Sequence, residues 1–454
     1  MHRFLFTTLP SNDLGLLARS LPIARELAEL GHEIAFCSPG KAPSVLIAEA
    51  GFPNLVPRHP LYHVSRRHLG VKGAYRLLKE RPLKDEYGFF SFIWTLIRAA
   101  PVRFAPLTAE VWNTDHAFAM AGMKNANFVR ANCGAMMDLI ADFAADVVVD
   151  FWNPFACIAA RAAGKPLVTV IQADAHPSNN GFIWWKDKPD GLPTALPAIN
   201  KVLSGYGLQP LSKTEELNVG DLTLILGAPE TDPVPDTTGC AYIGPVLWQN
   251  PEIAVPQWLE ELDHSKPIVW AYSGNPRYAS KGTALDSEVV LRACIEVLAE
   301  LDVQVVLTTG HHALPDEFAP LPGNFRFASY VPGLTMAEKC DLMIHHGGYG
   351  SCQTGLYAAT PAVIIPTFSE RESNARRIAA LGAGEFVLPQ TDDAGRKHID
   401  LKEFRTKVKR VLSDSAYVEN ARRCSELFRS YGGARQAAQM IEGVAKGSAI
   451  GPTS

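Results

Sequence analysis

Short apolar runs alternate with longer segments of helical period along this chain, and they do so in two series. The first opens with HRFLFTTL (2–9), a turn PSND, the segment LLARSLPIARELAELG (16–31) and the run HEIAFCS (32–38). ADVVVDF (145–151), PFACIAARAAG (154–164) and PLVTVIQA (166–173) follow in the same order. Gly31 stands where a helix C-cap glycine belongs. The second series begins with PIVWAYSG (267–274), passes through a helix near SEVVLRACIEVLAEL (287–301) to VQVVLTTG (303–310), and ends in helices from about Lys402 to Lys446. Strand and helix in alternation predict α/β architecture, here two doubly wound units.

Between the series lies a Pro-rich, turn-rich stretch, GAPETDPVPDTTGCAYIGPVLWQNPEIAVPQ, which reads as a linker. The expected division is therefore residues 1–226, a linker at 227–256, and residues 257–454, with room for the last helix to pack back on the first unit. A length of 454 residues agrees, being too great for one ordinary core. No repeat of solenoid period stands out.

Composition narrows the class. Charged residues at 20% and hydrophobic ones at 47% describe a soluble globular protein, and a net charge of -4 gives no reason to expect nucleic acid. The eight cysteines are scattered singly, without CxxC or metal-ligand spacing, as in a reduced cytoplasmic protein with free thiols. The N-terminus has too short an apolar run for a secretory signal, and no stretch is long enough to span a membrane. FFSFIWTLIRAAPVRF (89–104), broken by Arg98 and Arg103, reads as a buried helix lining a cleft, with an amphipathic helix at a membrane surface as the alternative.

The most informative chemistry lies between Asp341 and Gly384. DLMI enters a histidine pair and a glycine-rich turn, HHGGYGS, which opens into SCQTGLYAA and then the run AVIIP. This is a strand, a phosphate-type loop, a helix and another strand. Glycines let backbone N–H groups approach an anion, and the helix N-terminus adds roughly half a unit of positive charge. Gly347, Gly348 and Gly350 are candidates for the close approach, Ser351 for a hydroxyl donor and His346 for a side-chain donor. A histidine pair at a strand end also serves as a capped or buried structural element.

The ordered set HHGGYGS, Ala359 to Pro361, Pro366, Asn374–Ala375, and Gly382 with Gly384 resembles the nucleotide-sugar signature of the UDP-glycosyltransferase superfamily, glycosyltransferase family 1, in its bacterial natural-product branch. The resemblance covers nearly the whole chain. It implies the GT-B fold, two Rossmann-like domains facing across a cleft, the N-terminal one taking the acceptor and the C-terminal one the sugar nucleotide. It also implies an inverting, metal-independent transfer from a UDP- or dTDP-sugar to a hydroxyl of a small lipophilic acceptor such as a macrolide, ansamycin, flavonoid or sterol, with no cofactor. A sugar-nucleotide epimerase or hydrolase on the same fold and a silent sugar-nucleotide-binding protein stay open, as does a homodimer.

Donor-site residues follow from the same resemblance. Tyr330 and Val331 stand where relatives place Trp-Val ahead of the loop histidine, Tyr330 preceding His346 by 16 residues, so its ring is placed to stack on the base or merely to close a strand. Ser273 and Gly274 match the turn set against the second phosphate. Where relatives carry Asp-Gln for the sugar hydroxyls this chain has Glu370 and Arg371, the latter able to select an unusual sugar or to pair with Glu372 or a phosphate. Thr354 replaces the Glu that often binds both ribose hydroxyls of UDP donors.

The acceptor's proton needs a base. In relatives this is a His, or in some antibiotic glycosyltransferases an Asp, in the first N-terminal loop. No His lies in PSNDLG, and Asp13 has the suitable chemistry; Asp13 or the adjacent Asn12 also suits a helix cap. Asp150, closing the run DVVVD, matches the Asp that orients the catalytic His of plant relatives; with no His to orient, its catalytic reading is a proton shared between two carboxylates across the cleft, with helix capping as its alternative.

Overall fold

The computed structural model describes the 454 residues apart from 10–13, 66–67, 69, 81–86, 100–103, 109, 250–252, 275–287, 394–395 and 448–454. Strands β1 (Arg3–Thr8), β2 (Glu33–Cys37), β3 (Val147–Phe151), β4 (Leu167–Ile171), β5 (Leu222–Leu226) and β6 (Cys240–Gly244) form one sheet in the order β2-β1-β3-β4-β5-β6. Strands β7 (Ile268–Tyr272), β8 (Gln304–Thr308), β9 (Phe325–Ala328), β10 (Leu342–His345), β11 (Ala362–Ile364) and β12 (Gly384–Phe386) form the other, in the order β12-β11-β10-β7-β8-β9. All neighbours in both sheets run parallel.

Helices cover both faces of each sheet, which is why the strands read as continuous apolar runs. Phe4, Phe6, Val147 and Val149 enter the core on one side of the first sheet, Leu5 and Val148 the core on the other. In the second sheet Val269, Ala271 and Ile344 face one core, Ile268, Trp270 and Met343 the opposite one.

The stretch read as linker contains β6, paired with β5. The last helix, Gly433–Ala445, buries Ala437, Ala438 and Ile441 beside Leu17 and Leu21 of the helix Gly15–Glu29, and His32 meets Glu442 at 3.1 Å. The helix Phe89–Ala99 departs from expectation. It buries Phe92 but exposes Phe89, Phe90, Trp94 and Ile97, so it is only partly buried rather than enclosed by a cleft.

In each sheet the chain order reverses at one place, between β1 and β3 in the first and between β7 and β10 in the second. Diverging connections leave a crevice outside the strands' C-terminal ends there. The residues at those ends are Thr7, Thr8 and Asp150 on one side, and Ser273, His345 and His346 on the other.

Candidate active site

The imidazole of His346 lies at the centre of the second crevice. A side-chain carbon at Gly274 would sit 3.0 Å from its Cε1, and one at Gly348 would sit 2.7 Å from its Nε2. The ring thus fits between the turn after β7 and the first residue of the turn into the helix Tyr349–Tyr357, and glycine is what leaves it room. Gly347 adopts φ +86°, where glycine carries no Cβ penalty, and a Cβ there would meet the carbonyl oxygen of Arg371 at 2.8 Å. Ala359 also takes a left-handed φ of 60°, at the place where the superfamily pattern has glycine.

The two histidines differ in their surroundings. His345 is fully buried and its Nδ1 accepts the N–H of Gly347 at 3.1 Å, pinning the loop; burial pushes its pKa down to about 3. His346 is also held well below its ordinary value, by burial first and by the Arg371 charge second. A neutral imidazole carries one N–H donor and one acceptor. Its Nδ1 has no hydrogen-bond partner among the described residues.

Asn374 joins the glycine loop to the next helix, Ser369–Ala380. Its amide nitrogen donates to the Gly347 carbonyl at 2.9 Å and to Glu370 at 3.0 Å. Glu370 also reaches the N-terminal half: with the Gln172 amide oriented to suit its network, the nitrogen donates to Glu370 at 3.2 Å and the oxygen accepts from Arg19 at 2.6 Å. Arg371 turns its Nη1 to Thr367 Oγ1, 2.6 Å away.

The same helix meets the N-terminal half along one stripe. Ser369 Oγ donates to the Val111 carbonyl at 2.7 Å, Ser373 Oγ donates to Asp174 at 2.5 Å and accepts from Trp184 Nε1 at 2.9 Å, and Arg377 forms an ion pair with Asp174. Trp184 and Trp185 lie over the guanidinium groups of Arg377 and Arg376. Next to this seam Asp232, also buried, accepts from Tyr349 and Gln353, and burial raises its pKa to about 6.

In the first crevice Asp150 is buried at the end of β3. Its carboxylate accepts from Thr7 Oγ1 at 2.5 Å, from the Asn153 N–H at 3.0 and 3.1 Å, and from Cys157 Sγ at 3.2 Å. Burial raises its pKa to about 6 against those donors. Asp13 lies outside the described residues, as does Asn12. Trp152 follows with φ +68°, its ring 5.9 Å from Phe118 and 5.8 Å from Phe182, and its buried Nε1 has no partner among the described residues.

A family model described as "Erythromycin biosynthesis protein CIII-like, C-terminal domain" matches residues 292–435. A PGL/p-HBAD biosynthesis glycosyltransferase of Mycobacterium tuberculosis is 31% identical over 327 residues, 67% of this chain and 72% of that protein. The chain belongs to the UDP-glycosyltransferase superfamily. An uncharacterized UDP-glucosyltransferase of Bacillus subtilis, YojK, is 27% identical over 225 residues, and the match spans about half of each, 49% of this chain and 51% of that protein. The crystal structure of the glycosyltransferase VinC in complex with dTDP superposes with a TM-score of 0.64 at 18% identity over 98% of this chain and 100% of that one, and shares the GT-B fold.

Within this UDP-glycosyltransferase superfamily member, His346, Gly348, Gly274 and the first turn of the helix at Tyr349 come together at one crevice. Ser273 Oγ donates to the Gly274 carbonyl at 2.9 Å, and Thr354 Oγ1 donates to the Gly350 carbonyl at 2.8 Å. The Tyr330 ring stacks on His311 with centroids 3.9 Å apart, and Val331 is a core residue beside Trp270 and Met336. Gly350 and Ser351 lie in the helix's first turn. Asn374, Gln172, Arg19, Asp174 and Trp152 went unmarked as contacts by sequence reasoning. Only the Asn-Ala of the superfamily pattern signalled one of them. Among the described residues no group of three or more His, Cys, Asp or Glu is arranged to hold a metal.

Proposed function

We propose that this chain is an inverting glycosyltransferase that moves a sugar from a nucleoside diphosphate to a hydroxyl of a small lipophilic acceptor, at a site between residues 1–226 and 257–454, in the cytoplasm. The observation that carries this reading is the seating of His346 between Gly274 and the N-terminal turn of the helix at Tyr349. As the sugar leaves, negative charge grows on the diphosphate. Helix-end N–H groups and a neutral imidazole N–H are preorganised donors for that charge. Ser351 adds a hydroxyl within the same crevice, the Ser273–Gly274 turn stands against the second phosphate, and Glu370 accepts from hydroxyls of the sugar. Tyr330 offers the face opposite His311 to the base. Asp13 takes the proton of the acceptor hydroxyl, which attacks from the face opposite the diphosphate; Asp150 ties the end of β1 to the turn after β3 through Thr7 and Asn153.

Mass spectrometry of reactions that combine UDP- and dTDP-sugars with macrolides, ansamycins, flavonoids and sterols tests the reading. A glycosylated acceptor of inverted anomeric configuration is expected. Sugar released or isomerised from the donor alone, without transfer to any acceptor, would replace transfer by hydrolysis or epimerisation.

His346→Ala is expected to weaken dTDP or UDP binding by about 10- to 100-fold, the value of one hydrogen bond to a charged group, and to slow transfer as well. His345→Ala, which removes a fully buried ring and the acceptor for Gly347 N–H, lowers thermal stability with a smaller affinity change. Calorimetric titration separates the two, and a larger affinity loss at His345 reverses the assignment.

Thr354 bears on the nucleotide. Its hydroxyl proton is already given to Gly350, and one oxygen cannot pair with both ribose hydroxyls as a Glu does. A missing contact of this kind is worth about 0.5 to 1.5 kcal/mol. We therefore expect dTDP to inhibit competitively at a concentration about two- to tenfold lower than UDP. Tighter inhibition by UDP would overturn the inference from Thr354.

A further inference from the structure

We propose that the helices Gly70–Glu80 and Phe89–Ala99, within the segment 58–103, seat this protein on the surface of an anionic lipid bilayer. Two features of the segment converge. The first is charge: it holds ten of the chain's 43 Lys and Arg but only three of its 47 Asp and Glu, so a protein of net charge -4 concentrates positive charge here. The second is exposed apolar surface. On the helix Phe89–Ala99, Phe90, Trp94 and Ile97 recur at the spacing of one helical face and are 86%, 56% and 57% exposed. Phe92, on another face, is fully buried, and Leu96 packs against the core, so the helix is anchored and its outer stripe is left in water.

The preceding helix, Gly70–Glu80, repeats the arrangement. Leu77 is buried, Val71 and Tyr75 stand out at 89% and 68% exposure, and Lys72, Arg76 and Lys79 are exposed around them. Tyr87 donates to the Arg58 carbonyl at 3.2 Å, and His68 meets Glu80 at 3.3 Å. None of these residues belongs to either crevice described above.

Apolar side chains exposed to this degree gain most from a phase that moulds around them, which acyl chains do. Phe and Trp enter the headgroup boundary with their rings, while Lys and Arg stems snorkel toward phosphate. Anionic lipids add attraction for each basic residue near the surface. A rigid protein partner fits the same face less well, because interface cores are depleted in Lys. No helix among the described residues is long and apolar enough to cross a membrane, so the association is peripheral.

Co-sedimentation of the full chain with vesicles tests this. Vesicles of phosphatidylcholine with about a third phosphatidylglycerol are expected to bind the protein at least about tenfold more tightly than pure phosphatidylcholine, with the difference lost in high salt. A combined Phe90→Ser, Trp94→Ser, Ile97→Ser variant and a separate Lys72→Glu, Arg76→Glu, Lys79→Glu variant should each lose that binding about tenfold while keeping the wild-type Tm, since all six side chains lie at the surface. No binding to anionic vesicles, or binding that both variants retain, overturns the proposal. Self-association abolished by the apolar variant, in protein that does not bind vesicles, assigns the face to a second copy and overturns it equally.

Discussion

Asp13→Asn is expected to lower turnover by about a hundred- to ten-thousand-fold, the usual cost of a lost general base, and to leave nucleoside diphosphate affinity nearly unchanged. The residue follows β1, whose C-terminal end borders the first crevice, and it precedes the helix Gly15–Glu29. At that crevice Thr7 and Asp150 are locked to one another at 2.5 Å, and the Asp150 carboxylate is already engaged by three donors. A carboxylate so enclosed is poorly placed to take a proton from a substrate, which leaves Asp13 as the group with the right chemistry. Steady-state kinetics with a fixed acceptor, together with calorimetric titration of the nucleotide, checks both halves. Turnover within threefold of wild type would reduce Asp13 to a helix cap.

The second large effect is on stability. Arg377→Met is expected to cost about 3 to 5 kcal/mol, as when one partner is taken from a buried ion pair. Asp174 is buried and would lose its guanidinium, and Asp232, whose pKa the Arg377 charge holds down against burial, would lose the same influence. Replacing both partners with apolar residues should restore much of the loss, because the cost lies in the stranded charge rather than in the missing pair. Chemical unfolding of wild type, Arg377→Met and a double Asp174→Leu, Arg377→Met variant gives the comparison. A single-variant loss below about 1 kcal/mol would show that water reaches the seam and relieves Asp174.

How much of this was legible beforehand follows from the range over which each feature is written in the chain. Strands enclosed by helices appear as unbroken apolar runs, so β1 to β4, β7, β8, β10 and β11 are plain from the sequence. β6 hides among prolines and glycines, as a five-residue edge strand with two half-exposed positions and hence no clear apolar run. The glycine loop is legible because its steric demand is local: Gly274 and Gly348 clear space for one ring. The Asp174–Arg377 pair is not, since the partners stand 203 residues apart and neither sits in a pattern of its own. The helix at Phe89 is apolar nearly all round, which ordinarily signals burial. Only packing decides which of its faces is covered, and here Phe92 is enclosed while Phe90 is not.

The last helix has a consequence for recombination among relatives. Ala437, Ala438 and Ile441 complete a core whose other walls are Phe4, Phe6, Leu17 and Leu21, although more than 400 residues separate them in the chain. An N-terminal half exchanged at a single crossover near residue 256 would be parted from the helix that closes it and would meet a foreign one. A chimera assembled from two crossovers, the second ahead of Gly433, keeps that core's own walls together and is the one expected to fold.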